Sequence, residues 1–276
     1  MQILSRIFSF KIIITFFIAI LSIKSFAQTS FVIWPIYPKI ESNENATAIW
    51  LDNTGKNDAM VQVRVFKWDQ KDFADSYQEQ NEIIPSPPIV KIKAGERNML
   101  RITRVGVPAD YTEKSYRVIV DELPIKLDNT KDQGEQPSSS VGFQMRYSIP
   151  LFSYGKGIGS GLDEDSININ NKNPNAKPVL TYSLERNPQG ASFLYIQNTG
   201  DKFARISAIQ LEEEKDNPIT FDNVAFGYVL AKSTMKFPLS KENADKILHA
   251  KRFYVKDNSG VKEQLIEVKK QNKTQN

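Results

Sequence analysis

The chain has 276 residues, 36 basic and 32 acidic, with a formal net charge of +4, one histidine and no cysteine. The absence of cysteine excludes thiolate chemistry, disulfides, haem attachment and Cys-based zinc sites, so an exported form is held by its core alone. His249 cannot build a multi-histidine metal centre, and a Ser–His–Asp triad would rest on it alone; the two signs of charge interleave instead of forming the basic patch of a nucleic-acid binder.

The first 27 residues read as a Sec signal peptide. Arg6 and Lys11 precede the apolar run "IIITFFIAILSI", and Ser25-x-Ala27 ends the segment, placing cleavage after Ala27. An uncleaved anchor is the alternative. The run falls short of the roughly 20 apolar residues a spanning helix needs, and Lys24 closes it. No other run is long enough for stable membrane insertion, so the mature chain is expected to be exported and soluble. Removing the three basic residues of the signal leaves a net charge of +1.

About 250 mature residues suit two domains, each large enough for its own core. From residue 28 to 152, "FVIWPIY", "ATAIWLDN", "AMVQVRVFKW", "IVKI", "MLRITRV", "SYRVIVDEL" and "VGFQMRYSI" are short β-rich stretches. "NTGKND", "PSPP" and "KAGERN" supply turns between them. Seven strands at this spacing argue for an immunoglobulin-like β-sandwich. The weak helical stretch of this half is "DFADSYQEQNE". "KLDNTKDQGEQPSSS" is a polar, aperiodic run that reads as a mobile loop. It leads into a strand in which Val141, Phe143, Met145, Tyr147 and Ile149 alternate with Gly142, Gln144, Arg146 and Ser148.

"SYGKGIGSG", residues 153–161, reads as a flexible linker. It lacks the Lys-Ser or Lys-Thr of a phosphate loop, no helix is expected after it to complete a dinucleotide fingerprint, and it is no nucleophile elbow. Residues 162–270 return to short strands with Asn-Thr-Gly and Asp-Asn-Ser-Gly turns, and "LYIQNTGDKFARIS" echoes "IWLDNTGKNDAMVQV" of the first half. A second sandwich of related design follows from this. "KENADKILHA" reads as a turn or two of helix with His249 at the surface, and 271–276 as a frayed tail. Trp34, Trp50 and Trp68 read as core residues, and Arg64 and Arg101 as structural or surface ones. No cofactor or metal is expected.

Several stretches together resemble periplasmic pilus-assembly chaperones of the chaperone–usher pathway. "PSPPIVKIKAGERNMLRITR" resembles their paired prolines, short strand, turn and Arg-bearing strand. "SYRVIVDELP" resembles their penultimate first-domain strand, and "VGFQMRYSIPLF" sits where the last one follows a long loop. "IWPIYPKIE", "MVQVRVFKW" and "FQMRYSIPLFSYGKGIGSG" are similar to the archaic, Csu-type branch. The resemblance implies a boomerang of two immunoglobulin-like domains and a non-enzymatic role in the periplasm. Such a chaperone binds pilin subunits of an archaic-type pilus by donor-strand complementation and delivers them to an outer-membrane usher. A two-domain adhesion module of the cell surface or periplasm is the rival reading, and an exposed edge strand leaves self-association of the free protein open.

On that reading the donor strand carries Val141, Phe143, Met145 and Tyr147. Side chains on alternate positions fill the groove of a pilin that lacks a strand, and the strand backbone satisfies the exposed edges. Burying Val141, Phe143 and Met145 would contribute roughly 5–8 kcal/mol before the cost of ordering loop and strand. The better-known branch clamps the pilin's terminal carboxylate with an Arg on the first strand and a Lys on the last. Here the first-strand position is Trp34, the last-strand position matches Arg146, and the resemblance to the archaic branch places the other anchor on the penultimate strand, at Arg117. Contact of the first strand with the pilin edge is a further expectation, with Trp34, Ile36 and Tyr37 as its candidates.

Overall fold

A computed structural model describes residues 31–124, 144–212, 219–221 and 226–271. Ten strands form the first sandwich. β1 (Phe31–Trp34), β3 (Ala46–Asn53), β8 (Arg97–Arg104) and β6 (Ile83–Ser86) pair in the order β1-β3-β8-β6. The facing sheet has the order β2-β10-β9-β4-β5, with β2 Lys39–Ile40, β10 Arg146–Tyr154, β9 Glu113–Leu123, β4 Ala59–Lys71 and β5 Ala74–Gln78; β7 (Ile89–Ile92) also pairs with β4. Period-two alternation sends one face of each sheet inward. Ile49, Leu51, Leu100 and Ile102 from one sheet meet Val61, Val63, Val118, Val120, Ile149 and Leu151 from the other, all buried.

The segment 31–40 changes sheets. β1 pairs antiparallel with β3, whereas Lys39 and Ile40 of β2 pair parallel with Phe152 and Ser153 of β10. β2 therefore covers only the last turn of the β10 edge. From Arg146 to Leu151 that edge has no strand partner among the described residues. Arg104 pins the crossover from behind: its buried guanidinium donates to Ser153 Oγ at 3.0 Å and to the carbonyls of Tyr154 and Glu44 at 3.1 and 2.5 Å.

The second sandwich has one sheet of β16 (Thr234–Leu239), β12 (Ser192–Asn198), β11 (Leu180–Arg186) and β19 (Lys269–Lys270). Its other sheet has β14 (Ile219–Phe221), β13 (Ala204–Glu212), β17 (Arg252–Asp257) and β18 (Gln264–Glu267), with β15 (Gly227–Val229) also on β13. A separate core of Leu194, Ile196, Ile209, Leu211, Val255 and neighbours fills it. Helix α2 (Lys241–His249) is capped by Ser240 and buries Ala244 and Ile247, while His249 is exposed. The second sandwich and this helix follow the pattern read from the sequence.

Three local expectations need correction. "DFADSYQEQNE" is not helical. Asp72 and Phe73 take φ of 51° and 64°, turning β4 into β5 as a two-residue hairpin. A helix does follow the glycines: α1 (Glu164–Lys172) is capped by Asp163, whose carboxylate accepts from the Ser166 N–H. Its only buried residue is Ser166, so it carries no apolar stripe for sequence periodicity to reveal.

The span 153–161 is a packed joint rather than an exposed linker. Ser153 and Tyr154 complete β10, and Ile158 is fully buried with Phe152, Tyr154, Trp68, Phe203 and Leu230 between the two sandwiches. Gly155 lies against the Ala109 carbonyl and Gly157, at φ +82°, against the Tyr111 ring, so neither has room for a Cβ. The Ser160 N–H donates to the Glu41 carboxylate, which fills this turn with the chain's own anion.

Candidate functional site: an arginine in the cleft between the sandwiches

Residues opposite one another in a sheet share a face. Arg117 on β9 lies opposite Phe66 on β4 and Pro150 on β10; Trp68 lies opposite Tyr77, and Gln70 opposite Asp75. These positions alternate with the core positions, so this is the outer face of the sheet, and its lower end meets the second sandwich. Phe152 stacks on Phe203 at 3.8 Å with an interplanar angle of 5°, and Tyr228 on β15 sets its edge against Trp68 at 5.1 Å. Trp68 is a core residue, as expected, but its core is the joint between domains.

Arg117 is half-buried on this face, with its guanidinium carbon 3.7 Å from the centre of the Trp68 ring and 5.2 Å from that of Tyr228. Stacking on an indole fixes the plane of the guanidinium while leaving its N–H edge unused. Its buried Nε has no hydrogen-bond partner, and among the described residues no carboxylate forms an ion pair with it. A cation fixed by stacked rings, with open donors, suits a planar anion such as a carboxylate.

Arg146 is placed differently. It lies opposite Asp121, four residues along β9 from Arg117 and so about 13 Å away along the strand. Its Nε donates to Asp121 Oδ1, and Arg64 Nη2 donates to Oδ2 of the same carboxylate at 2.7 Å. Burial pushes the Asp121 pKa up, but the hydrogen bonds from Arg146 and Arg64 outweigh it and hold the group below the usual carboxylate range. The two arginines are on one face but do not form one clamp, and Arg146 is committed to an internal ion pair.

Val141 and Phe143 lie outside the described residues. Met145 precedes β10 and is 44 % exposed, with its carbonyl accepting from the Glu122 N–H at 3.0 Å. Tyr147, expected among the groove-filling side chains, packs instead on its own core, and its hydroxyl lies 3.4 Å from both the backbone N and O of Phe31. Below it Ile149 and Leu151 are buried. The alternating stripe thus divides at Tyr147: its C-terminal half belongs to the chain's own sandwich, and Met145 is the first side chain to leave it.

Trp34 at the end of β1 and Ile36 just beyond it are 65 % and 58 % exposed, so Trp34 is not a core residue. Trp34 stands opposite Trp50 on the outer face of its sheet, where Trp50 is half-buried under the Arg97 guanidinium. Tyr37 turns into the joint, with the Arg205 guanidinium 4.6 Å over its ring.

The charges of the joint escaped the sequence reading. Glu113 is buried, accepts from the Phe203 N–H at 2.9 Å and faces Lys202, Tyr154 and Asp257. Burial raises it to about 8, against the opposing pull of Lys202 and the hydrogen bond from the Phe203 N–H. Burial likewise lowers Lys202, whose ammonium donates to the Ser160 carbonyl at 2.7 Å. A charged residue at the head of a strand carries no sequence signal that separates it from a solvated one. Among the described residues no group of three His, Asp or Glu side chains comes together to hold a metal ion.

Residues 36–158 match the family model described as the pili and flagellar-assembly chaperone, PapD N-terminal domain. No curated protein sequence matches the chain. Among solved structures, the chain is similar to the chaperone in the CsuC–CsuE chaperone–tip adhesion subunit pre-assembly complex from archaic chaperone–usher Csu pili of Acinetobacter baumannii. The two are 53 % identical, the match covers 88 % of this chain and 100 % of the other, and the TM-score is 0.73. The E. coli chaperone DraB is 16 % identical, with 89 % and 98 % covered and a TM-score of 0.53. The Salmonella enterica SafA pilin–SafB chaperone complex matches at 14 %, with 87 % and 96 % covered and a TM-score of 0.52. At these last identities the likeness is one of fold alone. The sequence match over a whole relative and the two joined sandwiches agree: the chain belongs to the pilus-assembly chaperones of the chaperone–usher pathway, in the archaic, Csu-type branch.

Proposed function

We propose that this chain captures pilin subunits by lending them the N-terminal continuation of β10, and that Arg117 holds the subunit's terminal carboxylate. The observation that carries this reading is the β10 edge between Arg146 and Leu151, which has no strand partner among the described residues and which passes Arg117 at Pro150. A pilin strand laid on that edge gains ladder hydrogen bonds, and its end comes level with an arginine whose donors are open. Beyond Tyr147 the sequence continues the alternation through Met145, Phe143 and Val141, which then fill the subunit's groove. The A. baumannii relative, solved with a tip adhesion subunit, supports a pilin cargo and an outer-membrane usher as the destination. Residues 1–27 are a signal peptide that directs the chain to the periplasm, 28–152 and 162–270 are the two domains, and catalysis plays no part.

The test is capture of a co-expressed pilin subunit. Phe143→Asp places a charge in the groove and is expected to abolish recovery of the complex while leaving far-UV circular dichroism unchanged. Alternate amides of residues 146–151 should exchange quickly in the free protein and slowly in the complex. Normal capture by the variant, or unaltered exchange, overturns the reading.

A further inference from the structure

Arg117 is the residue proposed to touch cargo, and three aromatic rings hold it. Behind them stands a single carboxylate. Asp75, on β5 near the tip of the β4–β5 hairpin, accepts from Trp68 Nε1 at 2.9 Å and Gln70 Nε2 at 3.0 Å through Oδ1, and from the Tyr77 hydroxyl at 3.2 Å through Oδ2. Each donor leads to Arg117. The Trp68 ring lies beneath the guanidinium at 3.7 Å. The Tyr77 hydroxyl feels the Arg117 charge. Gln70 donates to the Tyr228 carbonyl and accepts from the Leu230 N–H, both at 2.9 Å, so it fixes the second-domain strand that brings the Tyr228 ring within 5.2 Å of the guanidinium.

We infer that Asp75 is the positioning residue of the Arg117 anchor, an inference that rests on Arg117 being the carboxylate site. The chemistry runs in one direction. The phenol O–H and the indole N–H both donate to Asp75, which itself forms no ion pair with Arg117, so the carboxylate steadies the rings around the cation without neutralising it. Accepting from Trp68 Nε1 fixes the indole plane and increases electron density over the ring that faces the guanidinium. Asp75 thereby keeps Arg117 in place and leaves its N–H edge for an incoming carboxylate. It also makes the anchor depend on both domains, because through Gln70 the same carboxylate secures Tyr228.

A double-mutant cycle tests this with a co-expressed pilin subunit that the wild-type chaperone captures. Asp75→Asn retains the shape but has one acceptor oxygen, so it cannot accept from all three donors. It is expected to weaken capture about tenfold, to shift the fluorescence of Trp68, and to leave the thermal midpoint unchanged. Arg117→Ala is expected to weaken capture at least thirtyfold, by about the loss of one buried charge partner. The double variant should be no weaker than Arg117→Ala alone. If Asp75→Asn captures as tightly as wild type, or if its effect adds in full to that of Arg117→Ala, the positioning role is overturned while the anchor stands. If Arg117→Ala captures normally, the anchor reading falls and this inference with it. Should Asp75→Asn also lower the midpoint, the cycle still decides, because a general loss of stability adds to the Arg117 effect and a loss of positioning does not.

Discussion

Two arginines on one sheet face have opposite circumstances, and the difference follows from what stands beside them. Arg146 is largely exposed and neutralised by Asp121, which Arg64 also approaches. Arg117 lies between aromatic rings, where no carboxylate among the described residues reaches it. An exposed ion pair contributes about 0–1 kcal/mol, whereas removing one member of a desolvated, hydrogen-bonded charge pair costs about 2–5 kcal/mol. Arg146→Ala is therefore expected to change pilin capture by less than about fivefold. Arg117→Lys, which keeps the charge but loses the planar fork and the stacking on Trp68, should lower it by more than about tenfold. Quantitative titration of the purified chaperone with a refolding subunit measures both, and equal losses for the two positions would refute the assignment.

At the scale of elements, the joint between β10 and α1 is a rigid connection. Gly157 shows why: its φ of +82° suits glycine, and a Cβ would lie 2.4 Å from the Tyr111 ring. Gly157→Ala is expected to destabilise the protein by about 1–3 kcal/mol in urea denaturation, and an unchanged midpoint would argue for a loose connection. That segment also shows where sequence reading stops. The strands were legible because Val61, Val63 and Val65, like Val118 and Val120, repeat at period two. The fold class followed from them. α1 was not legible, because its nine residues bury only Ser166 and its cap joins Asp163 to a serine, without an apolar stripe. The β4–β5 hairpin was hidden because an Asp-Phe pair makes its turn without glycine or asparagine. Of the candidate site, Arg117 was reached only through family resemblance. Trp68, Asp75, Gln70 and Tyr228 are 2 to 160 residues apart along the chain, and only the sheet register and the docking of the second domain assemble them.

The two sandwiches act as one body because their interface combines stacked rings with buried polar groups. Phe152 on Phe203 and Trp68 against Tyr228 supply the apolar part, and the hairpin tip adds Phe73 edge-on to Tyr195 at 5.0 Å. The polar part centres on Glu113 of the first domain and Lys202 and Asp257 of the second, with Tyr154 and Glu41 facing the same space. Burial raises Glu113 from its ordinary 4.5 to about 8, so the native joint favours the protonated carboxyl. Below pH 4.5 the group is protonated in folded and unfolded chains alike, and its favourable contribution is fully present. Between 4.5 and about 8 the folded chain binds more protons than the unfolded one, so stability declines as pH rises, by at most about 1.4 kcal/mol per pH unit. Asp257, also raised by burial, acts in the same direction from a lower starting point. Glu113→Gln keeps an acceptor for the Phe203 N–H and removes the titration. Urea midpoints of wild type and variant, measured from pH 5 to pH 8, are therefore expected to diverge, the wild type losing stability relative to the variant with each step upward. The same comparison for pilin capture should track stability, because the joint holds Tyr228 and Gln70 in register around Arg117. Parallel stability curves would mean that Glu113 is ionised in the native joint and that Lys202 compensates its charge in full.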